Sequence, residues 1–397
     1  MKTKTTIADP CGLEVRWAND INRESTPTVG LPVLDQIRKR TLYRAEENED
    51  VYSHHSYIAQ HRGTLYATWS NHARDEDASG QRVRFTRSMD GGITWQPVSE
   101  LFPPHDHIRA RAEQDNLRDR VLIANGFAVV DDTLYAIAEA HLLGEKIFMA
   151  SPTGIPQATD VVSREFWSRP GLGRLARAVT PEKNGPIFWL VDNPPDPVPG
   201  FPAYSGVADP EFAETAAAIN AFLATPEHWP SWEFLHHTCH VWAADGHRLC
   251  EPTPAWRLPD GTLARIWRDV SRGSHSQYAH FSRDGKTWGL PRRMPFPDAY
   301  SRSTAGNLPD GTAYVINNPG NGRDPLVISL AADGLTFDRH AVIACNAPPR
   351  RFEGQAKDIG FQYPHATVAG DTLHVIYSIN KEDIETAAIP LDTLKHI

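Results

Sequence analysis

Sulfur is scarce in this chain: 397 residues carry only four cysteines and four methionines. Cys11, Cys239, Cys250 and Cys345 show neither CxxC pairing nor the density of a disulfide framework, so covalent cross-links are not what holds the fold. Long apolar runs are also lacking. No segment approaches the roughly 20 apolar residues that cross a bilayer as a helix, which excludes a helical membrane protein and makes a membrane partner unexpected. Runs of Lys or Arg are missing too, and the net charge is −9, so nucleic acid is excluded as a partner. The first ten residues, Met1 to Pro10, are basic at the start but have no apolar core, so no secretory leader is visible. The expectation is a cytoplasmic location for the sequence as written, or a periplasmic or secreted one where a leader has been removed.

One stretch concentrates the few soft ligands. His236-His237-Thr238-Cys239-His240 is followed by His247 and Cys250. A structural zinc on His237, Cys239 and Cys250 is one reading, and buried thiols are the other, because the spacing matches no standard zinc finger. The chemistry below requires no cofactor, and a structural zinc or calcium is left open.

Turn residues, in contrast, are abundant: 32 Pro and 27 Gly suit many short strands. The turns repeat. Ser88-Met89-Asp90-Gly91-Gly92-Ile93-Thr94-Trp95 is echoed by Ser282-Arg283-Asp284-Gly285-Lys286-Thr287-Trp288 and more faintly by Ala332-Asp333-Gly334-Leu335-Thr336-Phe337. In each copy the Asp carboxylate can accept from backbone amides ahead of it while Gly takes the positive-φ position. A second repeat, a turn followed by Thr and an apolar strand, starts at Thr64, Thr133, Thr262, Thr312 and Thr372. Repeats at about 40–50 residues indicate propeller blades. The predicted fold is all-β: a single β-propeller domain over residues 1–397, with seven blades, or six as the alternative. Residues 1–50 are expected to wrap the ring or supply its closing strand. Residues 163–242 read as an irregular insertion with a short helix near Pro210–Ala224, capped by Asp209.

Two polar clusters are candidate sites. The first runs from Tyr52-Ser53-His54-His55 through Ser70-Asn71-His72 to Gln81. It flanks a β-hairpin, so His54 or His55 is expected to face His72 across a small pocket, where imidazoles suit proton transfer near neutral pH. Asn71 and Gln81 are candidates for holding substrate. The second cluster gathers Glu251, Arg268, Arg323, Tyr363 and His365 from the C-terminal blades. Arginines at strand ends of separate blades suggest a cationic pocket, whose natural ligand is an acidic oligosaccharide or polysaccharide.

At these residues the chain resembles the sialidase-like, Asp-box β-propeller superfamily. Within it, the segment from Ser53-His54-His55 through Trp69-Ser70-Asn71 to Gln81-Arg82-Val83 is similar to ulvan lyases and L-rhamnose-α-1,4-D-glucuronate lyases, with their glycoside hydrolase relatives. The ending from Gln362-Tyr363-Pro364-His365 to Asp383-Ile384 is similar as well. An early Arg-Ile-Pro motif, a mark of true sialidases, is absent. The resemblance implies β-elimination at a uronic acid, with His54 or His55 and His72 as acid and base, Tyr135 or Tyr363 assisting, and Arg177, Arg268 or Arg323 neutralising the carboxylate. The alternatives are an exo-glycoside hydrolase releasing rhamnose from glucuronate and a non-catalytic propeller that binds acidic glycans.

Overall fold

The computed structural model describes residues 12–25, 27–76, 80–104, 120–142, 146–147, 166–167, 171–190, 204–207, 209–228, 241–271, 273–354 and 357–397. Among these, five antiparallel sheets of four or more strands make a five-bladed propeller. Blade one holds strands Tyr52–His61, Thr64–His72, Arg82–Ser88 and Ser99–Phe102, in order from the axis outward. Blade two holds Arg120–Val130, Thr133–Leu142, Gly171–Ala178 and Phe188–Trp189. In blade three the inner strand is split into Arg248–Cys250 and Trp256–Arg257, both paired with Leu263–Asp269, and Ser276–Ser282 and Arg292–Pro297 follow. Blade four is Thr304–Asn307, Ala313–Asn317, Leu326–Ala331 and Arg339–Ala344. Blade five is Phe361–Ala369, Thr372–Ile379 and Asp383–Pro390, and its outer strand is Arg38–Tyr43 from the start of the chain.

The expectation of seven or six blades is therefore corrected to five. Each copy of the Thr-containing repeat opens or immediately precedes the second strand of one blade, so the five copies already give the count. Dividing chain length by a typical blade length overestimates it, because residues 163–242 supply outer strands of blade two and the helix Pro210–Ala224. That helix starts where Asp209 accepts from the Glu211 amide at 3.1 Å, and it buries Ala216, Ile219 and Leu223 against Ile137, Phe188 and Leu190 of blade two. No described helix is long and apolar enough to cross a membrane.

The core lies between blades. Leu326, Ile328 and Leu330 of blade four pack on Leu373, Val375 and Tyr377 of blade five. Trp256 and Phe281 of blade three meet Val315 and Val327 of blade four. Fully buried Trp69 joins blade one to Ile376 and Ile384 of blade five.

The Asp turns link the third and fourth strands of blades one, three and four. Asp90 accepts from the Ile93 and Thr94 amides, Asp284 from those of Lys286 and Thr287, and Asp333 from those of Leu335 and Thr336. Gly92, Gly285 and Gly334 take φ of 78°, 71° and 72° inside them, as such turns require. The bonds from Thr94, first its hydroxyl and then its amide, hold Asp90 down at a pKa of about 2, below its ordinary 3.8. A carboxylate depressed in the folded state adds stability above its ordinary pKa and loses it as pH falls through the folded one. Asp90→Ala is therefore expected to lower the midpoint of thermal unfolding near neutral pH. The gap from wild type should be constant above about pH 5 and should close as pH approaches about 2, which calorimetry at a series of pH values measures.

Candidate active site

Inner strands of a propeller turn alternate side chains toward the axis, but here three of them break that alternation at the same place. Register slips between His54 and Tyr57, between Ala124 and Phe127, and between Gln362 and His365. Each bulge contains a left-handed residue: His55 at φ 50°, Gly126 at 93° and Tyr363 at 52°. In blade three the inner strand is interrupted, and Glu251 stands there at φ 50°. Non-glycine residues in this region store of order 1–3 kcal/mol each and collect at functional sites. His55, Glu251 and Tyr363 are such residues.

Their side chains meet. The Tyr363 hydroxyl donates to Glu251 Oε1 at 2.7 Å and accepts from Arg268 Nη1 at 2.8 Å, while Arg268 Nη1 also donates to Glu251 Oε2 at 2.6 Å. The His54 ring lies 4.0 Å from the Tyr363 ring and 4.7 Å from the His55 ring. Both imidazoles are tied at Nδ1 to serines, His54 to Ser378 Oγ at 2.7 Å and His55 to Ser70 Oγ at 3.1 Å. His55 Nε2 lies 3.2 Å from Glu76 Oε1, and Lys381 Nζ sits 2.5 Å from Glu76 Oε2. His54, His55 and Tyr363 are almost wholly buried.

Electrostatics sort these groups by protonation. Burial, then Lys381 and His55, hold the His54 pKa well below its usual value, so its imidazole is neutral at pH 7. Burial alone would raise Glu76, but Lys381 and the hydrogen bond from His55 overcome it and keep the carboxyl ionised. Burial lifts the Tyr363 phenol well above the usual range, with Arg268 opposing and Glu251 adding to the rise. Arg268 is disfavoured by burial but held charged by Glu251 and Tyr363.

Ligand atoms of His54, His55 and Glu76 lie within 4.8 Å of one another, a set that suits a divalent metal by chemistry. The Lys381 ammonium already pairs with Glu76, so the carboxylate is shared between an ammonium and the His55 imidazole. His237 and Cys239, expected as zinc ligands, lie outside the described residues. Cys250 is buried at the end of its strand, paired across the sheet with Arg268.

Of the expected site residues, His54, His55, Glu251, Arg268 and Tyr363 converge, and Arg323 stands at the edge, its guanidinium carbon 5.9 Å from the Tyr363 ring centre. Arg323 donates to Gln362 Oε1 and pairs with Asp358 at 3.2 Å. His365 lies next to the Tyr57 ring at 5.0 Å, its pKa pushed down to about 3 by burial and then by Arg302.

The others do not join them. His72 pairs across the hairpin with Tyr52, two positions beyond the His54–Ser70 pair, and its Nδ1 accepts from the Arg74 and Asp75 amides at 3.1 and 3.0 Å. It braces the following turn instead of facing His54 or His55. Tyr135 packs edge-on against Phe188 beside the helix. Arg177 donates to the carbonyls of Leu101 and Gly185, joining the outer parts of blades one and two. Asn71 donates to Tyr52 O and Ser53 Oγ, and Gln81 donates to Leu122 O, so both act as braces. Sequence reasoning missed Glu76, Lys381 and Arg302. Glu76 does sit within the first polar cluster and Lys381 within the stretch from Gln362 to Ile384, and their opposite charges were the available signal.

Comparison with known proteins agrees with this architecture. Residues 210–375 match the BNR repeat-like domain. Among curated proteins there is no sequence match. In structure the chain is similar to a sialidase, with TM-score 0.71 and 20% identity over 95% of this chain and 35% of that one. It thus spans about a third of that sialidase's length. A Hadza microbial sialidase gives TM-score 0.53 and 14% identity over 89% of this chain and 68% of its own. Trypanosoma rangeli sialidase in complex with sialic acid gives 0.51 and 13% over 92% and 61%. The fold is that of the sialidase-like, BNR-repeat propellers. At these identities the likeness speaks for the fold, and the chemistry must come from the residues.

The Glu251–Arg268 pair provides a direct check on the site. Its side chains are 7% and 14% exposed, so removing the carboxylate leaves a buried cation unpaired. Glu251→Ala is expected to lower the unfolding free energy by about 3–5 kcal/mol, whereas Glu251→Gln, which keeps an acceptor, should cost clearly less; urea titration followed by tryptophan fluorescence measures both.

Proposed function

We propose that this chain is a carbohydrate-active enzyme that hydrolyses the glycosidic bond of an acidic sugar, with Tyr363 as nucleophile. The observation that carries the reading is the Tyr363 hydroxyl held between Glu251 and Arg268 at 2.7 and 2.8 Å. A phenol this hard to ionise is a poor nucleophile alone, and an adjacent carboxylate is what activates it. Being neutral, it also meets an anionic sugar without the repulsion that a free carboxylate would impose.

In this reading Tyr363 Oη attacks the anomeric carbon as its proton passes to Glu251, and the bond to the leaving oxygen breaks. Arg268 steadies the negative charge that builds on the phenol oxygen. The leaving oxygen takes its proton from His55, which faces ionised Glu76. Water then displaces Tyr363 from the sugar; His55 recovers a proton from that water, and Glu251 returns its own to the phenol. Arg268 and Arg323 provide the cationic surroundings that an acidic sugar needs.

A second reading is β-elimination at a uronate, the reaction of the rhamnose-glucuronate lyases. It is favoured by one observation: His54 is neutral, fully buried and without a hydrogen-bond partner at Nε2. There His54 would take the C5 proton and Tyr363 would protonate the departing O4. The position of His72 at a turn counts against the paired-histidine form of that mechanism.

A panel of oligosaccharides containing uronic or sialic acid, with mass analysis and ultraviolet absorbance, separates the readings. Hydrolysis adds water and leaves the absorbance flat, while elimination gives an unsaturated uronate that absorbs. Tyr363→Phe and Glu251→Gln are each expected to lower kcat by about 10²–10⁴-fold with little change in KM, and His72→Ala to leave kcat within a factor of about two, since it lies outside the cluster. Saturable binding with no product from any member of the panel would mean a glycan-binding propeller and would overturn both enzymatic readings.

A further inference from the structure

One ring nitrogen at the hub stands apart from the rest. His54 Nδ1 meets Ser378 Oγ at 2.7 Å, His55 Nδ1 meets Ser70 Oγ at 3.1 Å, and His55 Nε2 faces Glu76 Oε1 at 3.2 Å. His54 Nε2 is buried and has no hydrogen-bond partner. The serine beside it decides what that atom is. Ser378 Oγ donates to the Gln362 carbonyl at 3.4 Å, so toward His54 it is an acceptor, and the ring carries its proton on Nδ1. His54 Nε2 is then a bare lone pair in the interior, a costly thing to leave unmatched. It belongs to a group in which one ligand atom from each of His54, His55 and Glu76 lies within 4.8 Å of the others.

A divalent cation would satisfy this lone pair and the Glu76 carboxylate together. Two imidazoles and one carboxylate are a ligand set of four-coordinate zinc that keeps one position for water, and nitrogen ligands favour such an ion over calcium or magnesium. Both rings already have the outer support that ligating histidines use, a polar partner at the opposite nitrogen. Ser70 Oγ accepts from the Ala124 amide at 3.0 Å and keeps a lone pair for His55 Nδ1–H. Lys381 does not close the group, because it takes Glu76 Oε2 and leaves Oε1 facing His55. We propose that His54, His55 and Glu76 form a binding site for a divalent transition-metal ion of the zinc class. The ion would take His55 Nε2, so the loaded protein could not protonate a leaving oxygen from that atom. Zinc then acts as a brake on hydrolysis, a consequence that rests on the hydrolytic reading above, whereas the site itself does not.

The test uses the full chain stripped with EDTA and titrated with zinc chloride by calorimetry, with cobalt(II) chloride as a spectroscopic probe and calcium chloride as the hard-ion control. Wild type is expected to bind zinc, to melt at a higher temperature with it than without, and to ignore calcium. Bound cobalt should give the strong visible absorption of a four-coordinate ion. His54→Gln should lose both the zinc binding and the cobalt spectrum. Ser378→Ala removes the outer support without touching a ligand and should weaken zinc binding about 10- to 100-fold. If His54→Gln folds poorly, the serine variant decides.

A wild-type chain that binds no zinc, or zinc held equally well by His54→Gln and Ser378→Ala, would overturn the proposal. So would zinc that survives His54→Gln and is lost with Cys239→Ser, which would assign the ion to the stretch from His236 to Cys250. With an acidic glycan that the metal-free protein turns over, zinc should stop turnover at the concentration that fills the calorimetric site. Zinc bound through His54 with no glycan turned over, metal-free or loaded, would sink only the hydrolytic reading, whereas turnover by a chain that binds no zinc would sink only this one.

Discussion

Buried charge that must be matched across blades is the constraint on which the rest of this molecule depends. Arg268 of blade three answers Glu251 of its own blade and Tyr363 of blade five, while Lys381 of blade five answers Glu76 of blade one. Ions taken out of water cost several kcal/mol each unless partners meet them in good geometry. Lys381 and Glu76, and likewise Arg268 and Tyr363, come from different sheets, so the sheets have to be held at a fixed spacing for these groups to meet. Apolar packing between blades supplies that spacing: Leu326 to Leu373, Trp256 to Val315 and Trp69 to Ile376 lie in clusters that bridge neighbouring sheets. Hydrophobic burial supplies the free energy, and the axial charges give the ring its specificity of assembly.

The same constraint explains the strained backbone. A regular inner strand sends successive side chains to opposite faces, so His54 and His55 would diverge, as would Gln362 and Tyr363. A bulge with a left-handed residue brings neighbours onto one side. At Gly126 the conformation is free of side-chain strain, and a Cβ there would stand 3.3 Å from the Tyr57 ring. At His55, Glu251 and Tyr363 a smaller residue would sit more comfortably, yet an imidazole, a carboxylate and a phenol occupy these positions. Backbone strain is thus concentrated at the residues whose side chains form the cluster, the pattern that functional sites show.

Local chemistry was legible in the sequence, and aim was not. The Asp turns at Asp90, Asp284 and Asp333 read correctly because every bond they make lies within four residues. The convergence of Glu251, Arg268 and Tyr363 could be guessed from residue type at strand ends. His72 misled because strand pairing fixes its partner as Tyr52, and the bulge that redirects His55 leaves no mark in composition. Tyr135 and Arg177 misled for another reason: sequence does not say which strand of a blade faces the axis, and both lie on strands farther out. Arg302 escaped notice because nothing in Tyr300-Ser301-Arg302-Ser303 separates a buried arginine from one in solvent.

Ring closure and site assembly are one event in this architecture. The outer strand of the last blade is Arg38–Tyr43, which pairs with Asp383–Pro390 and so joins the two ends of the chain. Asp383–Pro390 and its neighbour Thr372–Ile379 are connected by a tight turn in which Asn380 and Lys381 both take φ of 57°, and the Glu382 amide donates to Ile379 O at 2.8 Å. That turn reaches over to blade one, where the Ser53 amide donates to Lys381 O at 2.9 Å and the Lys381 ammonium meets Glu76. Glu76 in turn faces His55. Fixing the N-terminal strand therefore fixes the hairpin, the hairpin fixes Lys381, and Lys381 holds the charge of Glu76 that faces His55. A chain that failed to close the ring would lose the counter-charge for Glu76 at the same moment, so the His55–Glu76–Lys381 arrangement can exist only in the closed form.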